Sequence, residues 1–437
     1  MAALLSSDTT PTEKPTPPTT VKISPPPPNN VNLIKLAATS LSAAILASYP
    51  IVQYASSSYK ARTKDDGTPV TDADGDAQRI ICGLLSKEFP NVRIVGEECE
   101  EDVARGEVGL LTSLCQNDAA AANGTEDGVN DNGTLSFSPG TKRKWKQMEA
   151  EREGTILETI AQEIALRVST HGSKADEEHK DKKEEPTEDP NIVDPSRVSV
   201  FVDPLDGTSA YAKGKYEYVT ILIAIMVDNI PVFGVIGKPF GQEGLSTYGD
   251  TKHSALYGGT LLGGVFYVGG GELERSRVHN STVADAAKSD ENDSTCENGG
   301  SKKGDEQWKQ RRAIISKSKA GGVVQACVQS LSSKNLLHPE PLFITGAGYK
   351  TLVLMLGQNE ETLWFFPKPG TSLWDVAAAD ALLRATGGKM TDGLNQDLDY
   401  SKSWEEADND DGIVACCDEE LHVTCMELYE TEKWKDE

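Results

Sequence analysis

Carboxylates stand at four places where a chain can turn a side chain toward a ligand: Asp74, the Glu97/Glu98 pair, the Asp203/Asp206 pair and Asp375. Each falls at the end of an expected strand or the start of an expected helix. Mg2+-assisted hydrolysis of a phosphate ester needs such groups. Hard oxygen ligands hold one ion that activates water and another that neutralises the leaving oxygen. In Asp203-Pro204-Leu205-Asp206-Gly207-Thr208 the two acids are three residues apart, and Pro204 is expected to force a tight turn that aims both at one point. Gly207 lets the backbone approach a ligand. Thr208 adds a hydroxyl that can hydrogen-bond an attacking water, and it opens a segment whose free N–H groups can hold a phosphate oxygen.

Each motif alone also has a plainer reading. Asp-Pro-x-Asp-Gly makes a good surface turn. Asp375, ahead of the Ala-rich run from Val376 to Ala379, makes a good helix N-cap. Glu97 and Glu98 after a strand can be solvated loop acids. Asp72, Asp74 and Asp76 alternate as in a calcium loop, but Ala77 and Gly83 stand where that loop needs Gly and Glu, so the EF-hand reading is rejected.

The elements that must position these acids follow from periodicity. Residues 31–55 form an apolar stretch interrupted by Lys35, several Ser and Thr, and Pro50, which predicts a core-packing helix rather than a membrane span. Ala77, Ile80, Ile81, Leu84 and Leu85 fall at helical spacing over residues 73–89, behind the caps Thr71 to Asp74. Strands are expected at 92–95, 198–202, 218–227, 230–236, 254–257 and 264–268. The last third alternates strand and helix, which predicts a layered α/β architecture rather than a β-sandwich.

Residues 1–30, rich in Ser, Thr and Pro, are expected to be a disordered tail. Residues 31–437 are read as one phosphatase domain with polar insertions at about 99–197 and 270–310, the first holding a helix over 145–168. A formal charge of -25 argues against a nucleic-acid backbone or an anionic membrane as partner. The expected partner is a small-molecule phosphate, reached through metal ions. The eight cysteines show no C-x-x-C spacing and fit free thiols in a reducing compartment. With no signal or transit pattern at the start, the expected location is cytoplasmic. The oligomeric state is not legible.

In combination, Thr71-Asp72-Ala73-Asp74, Gly96-Glu97-Glu98, Asp203 through Thr208, and Trp374-Asp375 with Gly387-Gly388 resemble the ordered signature of the inositol monophosphatase superfamily, the lithium-sensitive, Mg2+-dependent phosphatases. The resemblance implies an α-β-α-β-α sandwich of two tightly joined lobes with two or three Mg2+ ions between them. It implies Glu97, Asp203, Asp206, Asp375 and the Leu205 carbonyl as metal ligands, with Asp74 and Thr208 positioning or deprotonating the water. Val219 to Ile223 and Gly234 to Pro239 resemble the 3'(2'),5'-bisphosphate nucleotidases. That branch implies substrate contacts at Gly207, Ser316, Lys319, Gly346 and Lys350, although it usually shows His where Lys319 stands. The activity implied is removal of the 3'-phosphate from 3'-phosphoadenosine 5'-phosphate. Gly346-Ala347-Gly348-Tyr349-Lys350 also resembles the inositol polyphosphate 1-phosphatases, which keeps inositol 1,4-bisphosphate open as the alternative substrate.

Overall fold

A computed structural model describes residues 30–55, 62–63, 69–97, 128–129, 135–136, 158–168, 189–240, 254–268, 311–316, 320–357 and 361–432. The first helix, α1 (Leu33–Ala55), packs on α2 (Asp72–Glu88). Among the described residues α1 alone is long and apolar enough to cross a membrane, and it lies mostly buried within the protein. Both helices cover one face of a six-stranded sheet built from β1 (Arg93–Gly96), β2 (Val198–Asp206), β3 (Thr220–Val227), β4 (Ile230–Lys238), β5 (Ser254–Gly259) and β6 (Gly264–Tyr267). The strands lie in sequence order, with β1 parallel to β2 and every other pair antiparallel.

Alternation explains why this sheet is buried on both faces. Val198, Val200 and Val202 of β2, with Ile221, Ile223 and Ile225 of β3, face the α1/α2 core. Phe201, Leu222, Ala224 and Met226 face the opposite core. A strand with apolar residues at both parities belongs between two layers. A helix at 158–168, α3, seals one side of the first core with Ile160 and Ile164, and its Glu163 accepts a 2.6 Å hydrogen bond from the Tyr257 hydroxyl.

The second core holds the central helices α6 (Ala347–Leu356) and α7 (Leu373–Arg384), which separate the first sheet from a second. That sheet has the order β8-β7-β9-β11-β10, from β7 (Arg312–Ile315), β8 (Leu342–Phe343), β9 (Glu361–Phe366), β10 (Lys389–Thr391) and β11 (Ile413–Cys416). Helices α5 (Gly322–Ser333) and α8 (Glu419–Glu432) pack against this sheet and each other. The result is the expected α-β-α-β-α layering.

One local expectation is corrected. Asp203 to Asp206 is not a tight turn around Pro204: β2 runs through Asp206, with an irregularity between Asp203 and Asp206 in its pairing with β3. A bulge with Pro there re-aims side chains without ending the strand. The chain turns only at Gly207, which caps the short helix α4 (Thr208–Ala212).

Candidate active site

Two of the acids are held by the same device at different helix starts. Asp74 is the third residue of α2, and its Oδ2 accepts from the N–H (2.7 Å) and hydroxyl (2.6 Å) of the N-cap Thr71. Asp375 is the third residue of α7, and its Oδ2 accepts from the N–H of the N-cap Ser372 at 2.7 Å. Both are capping boxes with Asp in the Glu/Gln position, which fixes the carboxylates against their own helix ends. The sequence suggested Asp375 as the N-cap itself. The cap is Ser372, two residues before Trp374.

The β2 acids are fixed by main chain. Asp203, 2% exposed, accepts at 3.0 Å from the Leu205 N–H. Asp206 accepts from the amides of Ala347 (3.0 Å) and Gly348 (2.8 Å) at the start of α6, and from the Thr220 hydroxyl (2.7 Å). Gly346, φ 80°, precedes that helix, and a Cβ there would lie 2.9 Å from the Tyr218 carbonyl oxygen and 3.1 Å from Asp206 Oδ2. No side chain fits there without moving the donors of Asp206.

The electrostatics show what the fold has brought together. Burial pushes the Asp203 carboxyl well above its usual range, and the charges of Glu97, Asp206 and Asp375 push it further. Glu97 is the first of these charges in strength, so the end of β1 and the acids of β2 act on one another. Burial raises Asp375 to about 7. The Ser372 N–H opposes that shift, Asp206 and Glu97 add to it, and Lys350 opposes it. The Thr208 hydroxyl lies 3.1 Å from both Asp74 Oδ1 and the Leu205 carbonyl oxygen, joining α4, α2 and the end of β2.

Among the described residues no three His, Cys, Asp or Glu side chains already converge as a ligand set. The donor chemistry nevertheless fits Mg2+. The group is all oxygen, made of mutually repelling carboxylates and a main-chain carbonyl, and a hard divalent cation is what such a group can hold.

The proposed substrate residues are more dispersed. Gly207 and Gly346 both abut the Tyr218 carbonyl beside Asp206. Ser316 follows β7 and is partly exposed. Lys350 is 8% exposed, with its ammonium 4.9 Å from the Trp364 ring centroid. Lys319 and Glu98 lie outside the described residues. Sequence reasoning did not single out Thr220, Ser372 or the Ala347 and Gly348 amides. It also passed over Trp404, whose indole N–H donates to the Glu97 carbonyl at 3.3 Å. The capping-box spacing of Ser372 and Asp375 was the one signal available for any of these.

A profile of the inositol monophosphatase family matches residues 145–424, well over half of the chain, and the chain belongs to that family. Asp203, Asp206, Thr208 and Asp375 fall inside the matched span, while Asp74 and Glu97 precede it. Among curated relatives, 3'(2'),5'-bisphosphate nucleotidase 1 of Dictyostelium discoideum is 28% identical over 217 residues, 49% of this chain and 58% of that protein. The Golgi-resident adenosine 3',5'-bisphosphate 3'-phosphatase of Callithrix jacchus is 26% identical over 259 residues, 57% of this chain and 58% of that protein. A 23% match to 3'(2'),5'-bisphosphate nucleotidase 1 of Rattus norvegicus runs over 349 residues, 79% of this chain and 78% of that one. The chain thus spans little more than half the length of the first two relatives.

Proposed function

We propose that the chain is a Mg2+-dependent phosphomonoesterase that removes the 3'-phosphate of 3'-phosphoadenosine 5'-phosphate, leaving AMP and inorganic phosphate. The observation that carries this reading is a hydroxyl tied to a carboxylate, Thr208 to Asp74 at 3.1 Å, beside the buried Asp203, on which the charges of Glu97, Asp206 and Asp375 act together. Glu97, Asp203, Asp206, Asp375 and the Leu205 carbonyl would hold the ions. Bound Mg2+ lowers the pKa of water and neutralises charge building on the phosphoryl oxygens.

The chain's own residues orient the reaction. Thr208, donating to Asp74, turns a lone pair outward to accept from water and points the water oxygen at phosphorus. The water proton passes by way of Thr208 Oγ to Asp74, whose second oxygen stays anchored on Thr71. As the new P–O bond forms, the bond from phosphorus to the ribose 3'-oxygen breaks, and that oxygen takes its proton from solvent. The names of the relatives support a nucleotide bisphosphate as substrate. The five free, buried cysteines among the described residues support a reducing, cytoplasmic setting.

The test is phosphate release from 3'-phosphoadenosine 5'-phosphate, inositol 1,4-bisphosphate and inositol 1-phosphate, side by side, with Mg2+, with excess EDTA, and with millimolar Li+. The expected result is highest kcat/KM on the nucleotide, no activity in EDTA and inhibition by Li+. Full activity in EDTA would remove the metal reading. Higher kcat/KM on inositol 1,4-bisphosphate would make the chain a 1-phosphatase.

A further inference from the structure

Lys238, the last residue of β4, is 2% exposed. Gly237 pairs with Ile221, so one step further along the same register Lys238 lies beside Thr220, and Thr220 pairs with Asp206 on β2. Paired residues of neighbouring strands project to the same face. Asp206, Thr220 and Lys238 therefore form a row across three strands, on the face where the first turn of α6 donates to Asp206. The Lys238 ammonium donates to the Glu217 carbonyl and stands 4.6 Å from the Tyr349 ring centroid. It forms no ion pair with any described residue, and one carbonyl occupies only one of its three donors. Burial pulls the group down to about 8, against the attraction of Glu217 and Asp206, so it stays largely charged at neutral pH.

A sealed cation with no ion pair among the described residues, attracted by Glu217 and Asp206 only at longer range, costs solvation that its ring and carbonyl contacts offset only in part. Its charge acts on Glu217 and, across the site, on Asp206. Strands two apart are separated by about 10 Å, close enough for a buried charge to be felt with little screening. At 2% exposure Lys238 is too enclosed to grip a ligand directly.

We propose that Lys238 is a resident counter-charge of the carboxylate site. Acting through space, it weakens the hold on the divalent cation and strengthens the hold on the anionic phosphate substrate, thereby setting the balance between them. This rests on the functional reading above.

The test uses the full chain with Lys238→Met, which keeps the apolar stem against Tyr349 and removes the charge, and Lys238→Arg, which keeps the charge. Mg2+ binding is measured by titration calorimetry without substrate, and KM for 3'-phosphoadenosine 5'-phosphate at saturating Mg2+. Lys238→Met should lower the Mg2+ Kd by about 3- to 10-fold and raise KM by about 3- to 10-fold, while Lys238→Arg stays within about 2-fold of the unsubstituted protein on both. A purely structural role would weaken both affinities together, and that outcome overturns the proposal, as does no change in either. A KM rise of about 100-fold with unchanged Mg2+ binding would mean direct contact with substrate and also overturns it. If Lys238→Met does not fold, Lys238→Gln is measured in its place. Failure of both neutral variants to fold makes the lysine a structural requirement and ends the proposal. Should the unsubstituted chain bind no Mg2+, the functional reading itself fails. Should it bind Mg2+ while Lys238→Met binds no more tightly, only the counter-charge does.

Discussion

Asp203 sits where burial and three neighbouring acids all oppose its charge, an opposition that a bound cation would relieve. Asp203→Asn should lower turnover by roughly 10^3-fold or more, on the scale of other deleted electrostatic groups, while the amide oxygen still accepts from Leu205. In EDTA the same variant should unfold no earlier than the unsubstituted protein, because it removes a buried group whose charge is disfavoured. Phosphate-release assays and thermal unfolding in EDTA check both halves, and retention of more than about a tenth of the activity would place the chemistry elsewhere. Thr208 is tested by its two smaller relatives. Thr208→Ser keeps the hydroxyl and most of kcat, whereas Thr208→Ala should lose about 10^2- to 10^3-fold. Equal kinetics for both would rule out the hydroxyl as the water-orienting group.

At the scale of elements, the position of α7 decides where Asp375 points. The helix lies directly on β4 at Gly234, where a Cβ would come within 2.5 Å of the Ala378 carbonyl oxygen. Gly234→Ala must push α7 away from the sheet, at about 1–3 kcal/mol of overpacking. Urea unfolding should show a lower midpoint with unchanged slope, and kcat should fall in the folded protein because Asp375 moves with its helix. Wild-type kcat in a destabilised variant would separate the helix seat from the site. Helix α8 is tied to β10 by a 3.0 Å contact between His422 Nε2 and Thr391 Oγ1. Burial, and next the charge of Lys389, lower the His422 pKa to about 4. An unfolded histidine takes up its proton near pH 6.5, so the unfolded state binds more protons between pH 6.5 and 4, and stability falls as pH falls through that window. His422→Gln should flatten the thermal-midpoint profile there. An unchanged slope would assign the acid sensitivity to other groups.

For the whole molecule, the binding of Mg2+ to the folded chain alone is a stability term. At 100 times Kd it adds about 2.7 kcal/mol, so the thermal midpoint should rise by a few degrees on adding Mg2+. Excess EDTA should reverse the rise, and Asp203→Asn should abolish it. A midpoint indifferent to Mg2+ would mean that the carboxylate cluster does not hold the ion. The same ion reconciles a chain of net charge -25 with an anionic substrate, since it supplies positive charge where the two meet.

Much of the architecture was legible because it is local. Apolar residues at both parities in 198–202 and 221–226 require a strand covered on both faces. The i, i+3, i+4 pattern of α2 requires a helix with an apolar face on a core, and the Ala-rich start of α7 suits a helix buried between two layers. The order of the acids, and the presence of Thr beside Asp206, were likewise written in the chain. Their convergence was not. Asp206 is held by amides 141 and 142 residues away, and a backbone N–H has no side-chain signature by which sequence could single it out. Thr208 meets Asp74 across 134 residues, and the charge of Lys238 reaches Asp206 only because three strands align in one register. Periodicity therefore determined which segments are strand or helix, and residue type determined which groups can carry charge. Only the tertiary structure decided which charges share one buried space, because that depends on sheet register and layer packing between residues far apart in the chain.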